Sequence, residues 1–148
     1  MDLNNHHHRI SPQALYEAAR EVVGEYTLTH RNLKVGTVGA ALLTADGNVY
    51  TGVNLDMFCG IGFCAEHAAV AEMLKNRETH ILMAVAVKKH TILPPCGRCR
   101  ELMYQVDVRN RETQIMLPRE VIQPLEELLP SHWMEYADPN KFRPFKEQ

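Results

Sequence analysis

Between residues 65 and 106 the chain alternates helix, strand and helix patterns, and cysteines stand at the start of both helices. The stretch AEHAAVAEMLKN at 65–76 is rich in strong helix formers and can end at Asn76. HILMAVAVKK at 80–89 reads as a buried strand, and GRCRELMYQV at 97–106 as a second helix. A helix of about 12 residues runs down roughly 18 Å, and a strand of about 8 residues returns roughly 26 Å. The chain therefore comes back to the end it left. Cys64, just before the first helix, and Cys96 and Cys99, at the start of the second, are expected to meet there, although 32 residues separate Cys64 from Cys96.

The flanking segments extend this pattern. Ser11 and Pro12 form an N-cap and first helical residue, and Ala14, Leu15, Ala18, Ala19, Val22, Val23 and Tyr26 recur at helical spacing, which predicts a helix over 12–26. TVGAALLT at 37–44 and NVYTGVN at 48–54 are short apolar runs around ADG, the signature of an antiparallel hairpin. TQIMLP at 113–118 reads as a strand, and QPLEELLP at 123–130 as a short helix with Pro124 in its first turn. Strands separated by helices favour parallel pairing with helices over both faces. The expected class is α/β, a three-layer α/β/α sandwich with a mixed sheet.

At 148 residues and 45% apolar, the chain has the size of one domain with a substantial core, spanning 1–148 with loosely ordered tails at 1–10 and 138–148. The histidines at 6–8 lie in a polar leader and are assigned no role. Eighteen acidic residues against sixteen Lys and Arg, with no basic run, argue against a dedicated nucleic-acid binder. The longest apolar run, ILMAVAV at 81–87, is far shorter than the about 20 residues of a membrane span. The leader MDLNNHHHRI has no apolar stretch of signal-peptide type. These features predict a soluble cytoplasmic protein with a small-molecule partner and neither a nucleic-acid nor a membrane partner. In that setting the four cysteines are expected to be reduced thiols.

A helix N-terminus carries partial positive charge and favours thiolate over thiol. Three thiolates at one point make a zinc site whose fourth tetrahedral position stays open for water. Glu66 lies two residues beyond Cys64, close enough to approach that water without joining the ligands. Zinc lowers the pKa of bound water from about 15.7 to about 7, and a neighbouring carboxylate can accept the proton and pass it on. Other readings stay open. CGRC at 96–99 is also the form of a redox pair. Cys59 is either a fourth thiolate that closes the shell of a structural zinc or a small buried residue. Asn54 and Asp56 are also residue types that cap turns.

CAE at 64–66 followed by PCGRC at 95–99 resembles the signature of the zinc-dependent cytidine deaminases, carried by Cys64, Glu66, Pro95, Cys96 and Cys99. VGAALLTADGNVYTGVN at 38–54 and ELLPSHW at 127–133 are similar to segments of the small homotetrameric cytidine deaminases and the related blasticidin S deaminases, so the likeness runs over residues 35–135. It implies one Zn2+ per chain on Cys64, Cys96 and Cys99, a proton shuttle at Glu66, attack of activated water on C4 of a cytosine ring, loss of ammonia, and a homotetramer. Carried over residue by residue, Asn54 matches the ribose-binding asparagine, and Asp56 stands where the family has glutamate. Ala65 would make a main-chain contact to the base carbonyl. Trp133 stands where many members have a phenylalanine that reaches a neighbouring subunit's pocket. His67 replaces an arginine that donates hydrogen bonds to the ligand thiolates, a task open to a protonated imidazole.

Two departures touch the nucleoside pocket. Gly36 occupies the place of a stacking phenylalanine, and the loop LDMFCGIGF at 55–63 differs from the family's spacing by one residue. The implied activity is hydrolytic deamination of cytidine or deoxycytidine to uridine or deoxyuridine, a step of pyrimidine salvage. The alternatives are deamination of a modified aminopyrimidine such as blasticidin S and, from another class, a non-catalytic structural zinc protein.

Overall fold

The computed structural model describes residues 10–137; the histidine run at 6–8 and the tails at 1–9 and 138–148 lie outside the described residues. In chain order the elements are α1 (Pro12–Glu21), β1 (Tyr26–Thr27), β2 (Lys34–Thr44), β3 (Val49–Asp56), α2 (Ala65–Lys75), β4 (Ile81–Lys88), β5 (Thr91–Leu93), α3 (Gly97–Val106), β6 (Gln114–Leu117), β7 (Val121–Pro124) and α4 (Leu125–Leu128). Short 3-10 turns intervene, notably Phe58–Gly60 and Trp133–Glu135.

Ser11 caps α1 as expected, its hydroxyl accepting from the Ala14 N–H at 3.1 Å. The helix stops at Glu21 rather than near Tyr26. Its apolar spacing continues past the end, but Gly24 turns the chain back and bonds the Gly36 carbonyl at 2.9 Å, which sends exposed Tyr26 into β1 beside Val35. The hairpin forms as the ADG signal predicts, with β2 and β3 antiparallel and Gly47 at φ +86° in the turn. The expected helix at 123–130 shrinks to α4. Gln123 and Pro124 belong instead to β7, where they continue the pairing of β-branched Val121 and Ile122 with β6, and Pro124 is the residue before the helix.

The sheet is mixed. Its order is β1-β2-β4-β6-β7, with β3 on the other side of β2 and β5 on β4. The parallel pairing inferred from the alternation is realised between β4 and β6, while β2·β3, β2·β4, β4·β5 and β6·β7 are antiparallel. Since β3 and β4 both run against β2, they point the same way and α2 crosses over β2 to join them. Their C-terminal ends therefore lead toward the same edge, where α2 and α3 begin.

Alternation along β2 buries both faces of the sheet. Ala41 and Leu43 join Leu15 and Ala19 of α1, with Val85 and Val87 of β4. Leu42 joins Val70 and Met73 of α2 and Met103 of α3, with Ile81, Ala84 and Ile115. These two clusters are the boundaries of the expected three layers. At the far end of β4, buried Asn110 accepts from the Ile81 N–H at 2.7 Å and donates to the carbonyls of Met103 at 2.8 Å and Thr79 at 3.0 Å, tying the exit of α3 to the start of the strand. Among the described residues no helix is long and apolar enough to cross a membrane.

Candidate metal centre and its cleft

Cys64 and Cys96 are the N-cap residues of α2 and α3, in nearly the same extended conformation (φ −71°, ψ 157° and φ −71°, ψ 170°). Cys99 lies in the first turn of α3 and is fully buried. The Cys64 and Cys96 Sγ atoms are 3.3 Å apart, as are those of Cys96 and Cys99, and all three sulfurs lie within 4.8 Å of one another. These separations are well beyond the about 2.05 Å of a disulfide, and all four cysteines are free. Zn–S bonds of about 2.3 Å in a tetrahedron place sulfurs about 3.8 Å apart, a value the observed range brackets. The thiols are thus positioned to bind a metal ion. A redox pair at Cys96 and Cys99 does not account for the third thiol beside them.

Electrostatics point the same way. Burial first, then the nearby Glu66 carboxylate, pushes the Cys99 thiol far up, and burial raises Cys64. Burial also works against ionisation of Cys96, but the amides of Cys99 and Arg98 and the neighbouring thiols outweigh it and lower that group. Crowded thiols beside a carboxylate resist sharing negative charge until a cation joins them. Cys59 is absent from this group. It is exposed, at φ +51° in the 3-10 turn, so it neither closes the coordination shell nor fills a buried site.

Glu66 occupies the first turn of α2 and is only 6% exposed, and burial raises its carboxyl. It lines a cleft of 520 Å³ together with Cys64, Cys96, Ala65, Asn54 and Asp56. His67 reaches the cluster as well, its Nδ1 3.5 Å from the Cys99 Sγ and its ring stacked on Phe63 at 6.4 Å. Burial, then the Arg98 charge, pushes the imidazole below its ordinary value. This disfavours the protonated ring that would take over the task of the family's arginine.

Asn54 and Asp56 do more than end a strand. The β2·β3 register shifts between Val35 and Gly39, and the Asn54 Oδ1 accepts the Val38 N–H there at 2.8 Å. Its Nδ2 is left facing the cleft, 3.4 Å from the Asp56 Oδ1. The same irregularity explains the missing phenylalanine. Gly36 sits at φ +80°, and a Cβ there would lie 2.4 Å from the Gly24 carbonyl oxygen. Val38 and Phe63 supply apolar wall to the cleft, and Arg98 lies on its lining too. Sequence reasoning passed over these three; the available signal was adjacency, since Phe63 precedes Cys64 and Arg98 stands between Cys96 and Cys99.

Trp133 is not brought to the cleft of its own chain. It is 68% exposed, edge-to-face with Tyr136 at 5.9 Å, and its backbone N–H donates to the Glu101 carboxylate at 2.9 Å. Arg100 donates to the Leu128 carbonyl at 3.0 Å, and Tyr104 stacks on His132 at 4.0 Å, so α3 holds the whole 128–133 segment in place.

A family model described as the cytidine and deoxycytidylate deaminase zinc-binding region matches residues 11–113. The chain belongs to this family. The cytidine deaminase of Mycobacterium tuberculosis is 39% identical over 70 residues, 46% of this chain and 53% of the relative. The blasticidin-S deaminase of Bacillus cereus is 30% identical over 76 residues, 45% of this chain and 54% of the relative. The chain spans about half the length of the curated relatives it matches. In three dimensions the likeness is broader. The crystal structure of the Mycobacterium leprae cytidine deaminase superposes with a TM-score of 0.70 at 28% identity, covering 82% of this chain and 99% of that one. The α/β fold and the zinc-binding character of this deaminase-family chain therefore stand on the thiol geometry and on its kin together.

Proposed function

We propose that the chain is a zinc-dependent hydrolase that replaces the exocyclic amine of a cytosine-type nucleoside, cytidine or deoxycytidine, with a carbonyl and releases ammonia. The observation that carries this reading is the buried Glu66 carboxylate beside three clustered thiols on the lining of one open cleft. Zinc on Cys64, Cys96 and Cys99 supplies Lewis-acid activation of water. Glu66 would take one proton from the water and pass it to the ring nitrogen, then take the second from the hydroxyl formed on C4 and pass it to the amine, which leaves as ammonia. The Ala65 main chain, at the start of α2, holds the base carbonyl. Asn54 offers its Nδ2 and Asp56 its carboxylate to sugar hydroxyls. His67 orients the Cys99 sulfur.

Trp133 serves a neighbouring subunit in this reading, which its exposure and its place off the lining of its own cleft support. A homotetramer of single-domain chains of 1–148, acting in the cytoplasm in pyrimidine salvage, completes the proposal; the family resemblance supports it. A second substrate reading, a modified aminopyrimidine of the blasticidin S type, draws support from Gly36, where a side chain would clash, in place of a stacking ring and from the Bacillus cereus relative. A non-catalytic zinc protein is disfavoured by the exclusion of Cys59 from the thiol cluster.

The test is ammonia release from cytidine by zinc-loaded protein beside a Glu66→Ala variant. Release by the parent alone, with one zinc retained in both, supports the reaction and the role of Glu66. No release from either with zinc in place overturns the cytidine assignment and moves the same pair to blasticidin S.

A further inference from the structure

Arg100 joins the entry to the metal centre to the segment that carries Trp133. It stands one place past Cys99 on α3, and side chains on a helix tilt toward its N-terminus. The half-buried guanidinium accordingly reaches back beyond the helix start: Nε donates to the Pro95 carbonyl at 3.0 Å and Nη1 to the Leu128 carbonyl at 3.0 Å. Pro95 is the buried residue immediately before Cys96, and Leu128 is the last residue of α4. A carbonyl at a helix end has no partner within its helix, and the Pro95 carbonyl precedes the cap of α3. Among the described residues no ion pair draws Arg100 to a carboxylate, so the rigid fork is committed to this bridge. Farther along α3, the Glu101 carboxylate accepts the Trp133 backbone N–H at 2.9 Å and the Tyr104 ring stacks on His132 at 4.0 Å. These two grip the segment from the body of the helix. Of the three, Arg100 is the one that also grips the loop leading into the thiol cluster.

Resting on the deaminase reading and on the place it gives Trp133 in a neighbouring subunit's cleft, we propose that Arg100 is a positioning residue that couples the metal centre to the Trp133 segment. The Pro95 loop, fixed when Cys96 ligates zinc, holds the guanidinium, and the guanidinium holds Leu128 and the chain that follows it. One chain's metal centre thereby sets the aromatic group that serves its neighbour. The same residue read as a mere strap makes a different prediction, because a strap lowers stability without making the order of the segment depend on zinc.

Amide hydrogen exchange reads the opening of the segment, since the Trp133 N–H exchanges when its bond to Glu101 opens. The experiment follows exchange over 128–137 in zinc-loaded and chelator-stripped protein, for the parent, Arg100→Met, Arg100→Lys and Glu101→Ala, beside kcat and KM on cytidine. In the parent, zinc removal is expected to speed exchange over 128–137 while α1, on the other face of the sheet, does not change. Arg100→Met with zinc bound is expected to show that faster exchange already, by about 10-fold, the scale of one hydrogen bond to a charged group, and zinc removal then adds little. Its cytidine KM should rise while kcat per bound zinc holds, with Arg100→Lys between the two in both readouts. Coupling is reciprocal, so Glu101→Ala, which loosens the segment and keeps Arg100, should weaken zinc in competition with a chelator. That arm decides the case if Arg100→Met does not fold or keep its metal. Zinc removal that leaves 128–137 unchanged in the parent, speeds exchange over the whole chain alike, or acts equally in Arg100→Met overturns the inference. So does an unchanged KM in Arg100→Met or an unchanged zinc affinity in Glu101→Ala, and each of these leaves the deaminase reading standing. No ammonia from the zinc-loaded parent overturns the deaminase reading and this inference with it.

Discussion

The two ends of the cleft are built in different ways. At the metal end, the thiols and Glu66 sit on the first turns of α2 and α3, and both helices rest on the sheet with little slack. Ala65 and Cys99 are fully buried, and a Cβ on Gly52 of β3 would lie 2.4 Å from the Ala69 N and 2.6 Å from the Ala65 O. The other wall runs off the end of β3 from Asn54 to Phe63 through a 3-10 turn, where Phe58 and Ile61 are 53% and 69% exposed. The ends of this wall are tied down, by the pairing of Leu55 and Asp56 with β2 and by the Phe63 ring on His67, and a bridge between Leu55 and Phe63 closes the loop between them; the turn itself is held by the edge contact of Phe58 with His30. Close packing defines atom positions to fractions of an ångström, and an exposed turn does not. The thiol cluster and Glu66 are thus lodged where the packing is tightest, and the wall from Asn54 to Phe63 where it is most open.

The sharpest way to break this comparison is at the metal end. Cys99→Ser replaces a buried thiolate ligand by a hydroxyl, and zinc content measured on the purified variant is expected to fall well below one per chain, with ammonia release down by at least about 100-fold. Full zinc retention would show that the cluster does not hold the metal.

Two glycine substitutions compare the walls directly. Gly52→Ala drives a methyl group into the backbone of α2, and denaturant unfolding should show a loss of about 1–3 kcal/mol together with weakened zinc binding. Gly60→Ala meets open space but holds φ +71°, so it is expected to cost about 1–2 kcal/mol, for backbone conformation alone, and to leave zinc untouched. A larger loss or a loss of zinc from Gly60→Ala would reverse the contrast drawn here.

Within the recognition wall, Asp56→Glu restores the length found in the family. Cytidine KM is expected to shift severalfold while kcat and zinc content hold, the pattern of a group that binds rather than reacts. An equal fall in kcat and kcat/KM would place Asp56 in the chemistry instead.

The smallest effect lies outside the cleft and serves as its control. Hydrogen bonds from Arg109, and further ones from Thr79 and the backbone, hold the Asp107 carboxyl well below the usual carboxylate range. A depressed folded-state pKa stabilises the fold fully above the unfolded value of about 3.9, and the contribution is lost as pH falls through that value toward the folded one. Asp107→Asn should therefore cost about 1 kcal/mol near neutral pH, with the difference from the parent shrinking below about pH 4. Zinc content and ammonia release should not move; a change in either would tie this remote cap to the site.

Legibility in the sequence followed the same division. The starts of α2 and α3 were readable because N-cap position, helix length and strand return are local or additive, so Cys64 could be brought to Cys96 on paper. The end of α1 was not, since Val22, Val23 and Tyr26 keep helical spacing and only the bond from Gly24 to Gly36 shows where the chain turns back. β7 went unread for a similar reason, its last two residues, Gln123 and Pro124, being taken into the helix: the β6 strand that Val121 and Ile122 pair with is not visible in their own spacing. Arg98 and Phe63 gave no signal apart from their neighbours, because lining a cleft is a property of several elements at once.

By itself, then, the order of residues determined the α/β class, the hairpin, the three thiols and the carboxylate two residues past the first of them, all features set by short-range periodicity and helix geometry. The tertiary structure decided the rest. It excluded Cys59 from the metal cluster, turned the Asn54 side-chain oxygen inward to the β2 irregularity, kept Trp133 off the lining of its own cleft and left Arg98, among the described residues, without a carboxylate partner. Each of these depends on which backbone atoms and side chains from distant segments come within a few ångströms, and no local pattern encodes that.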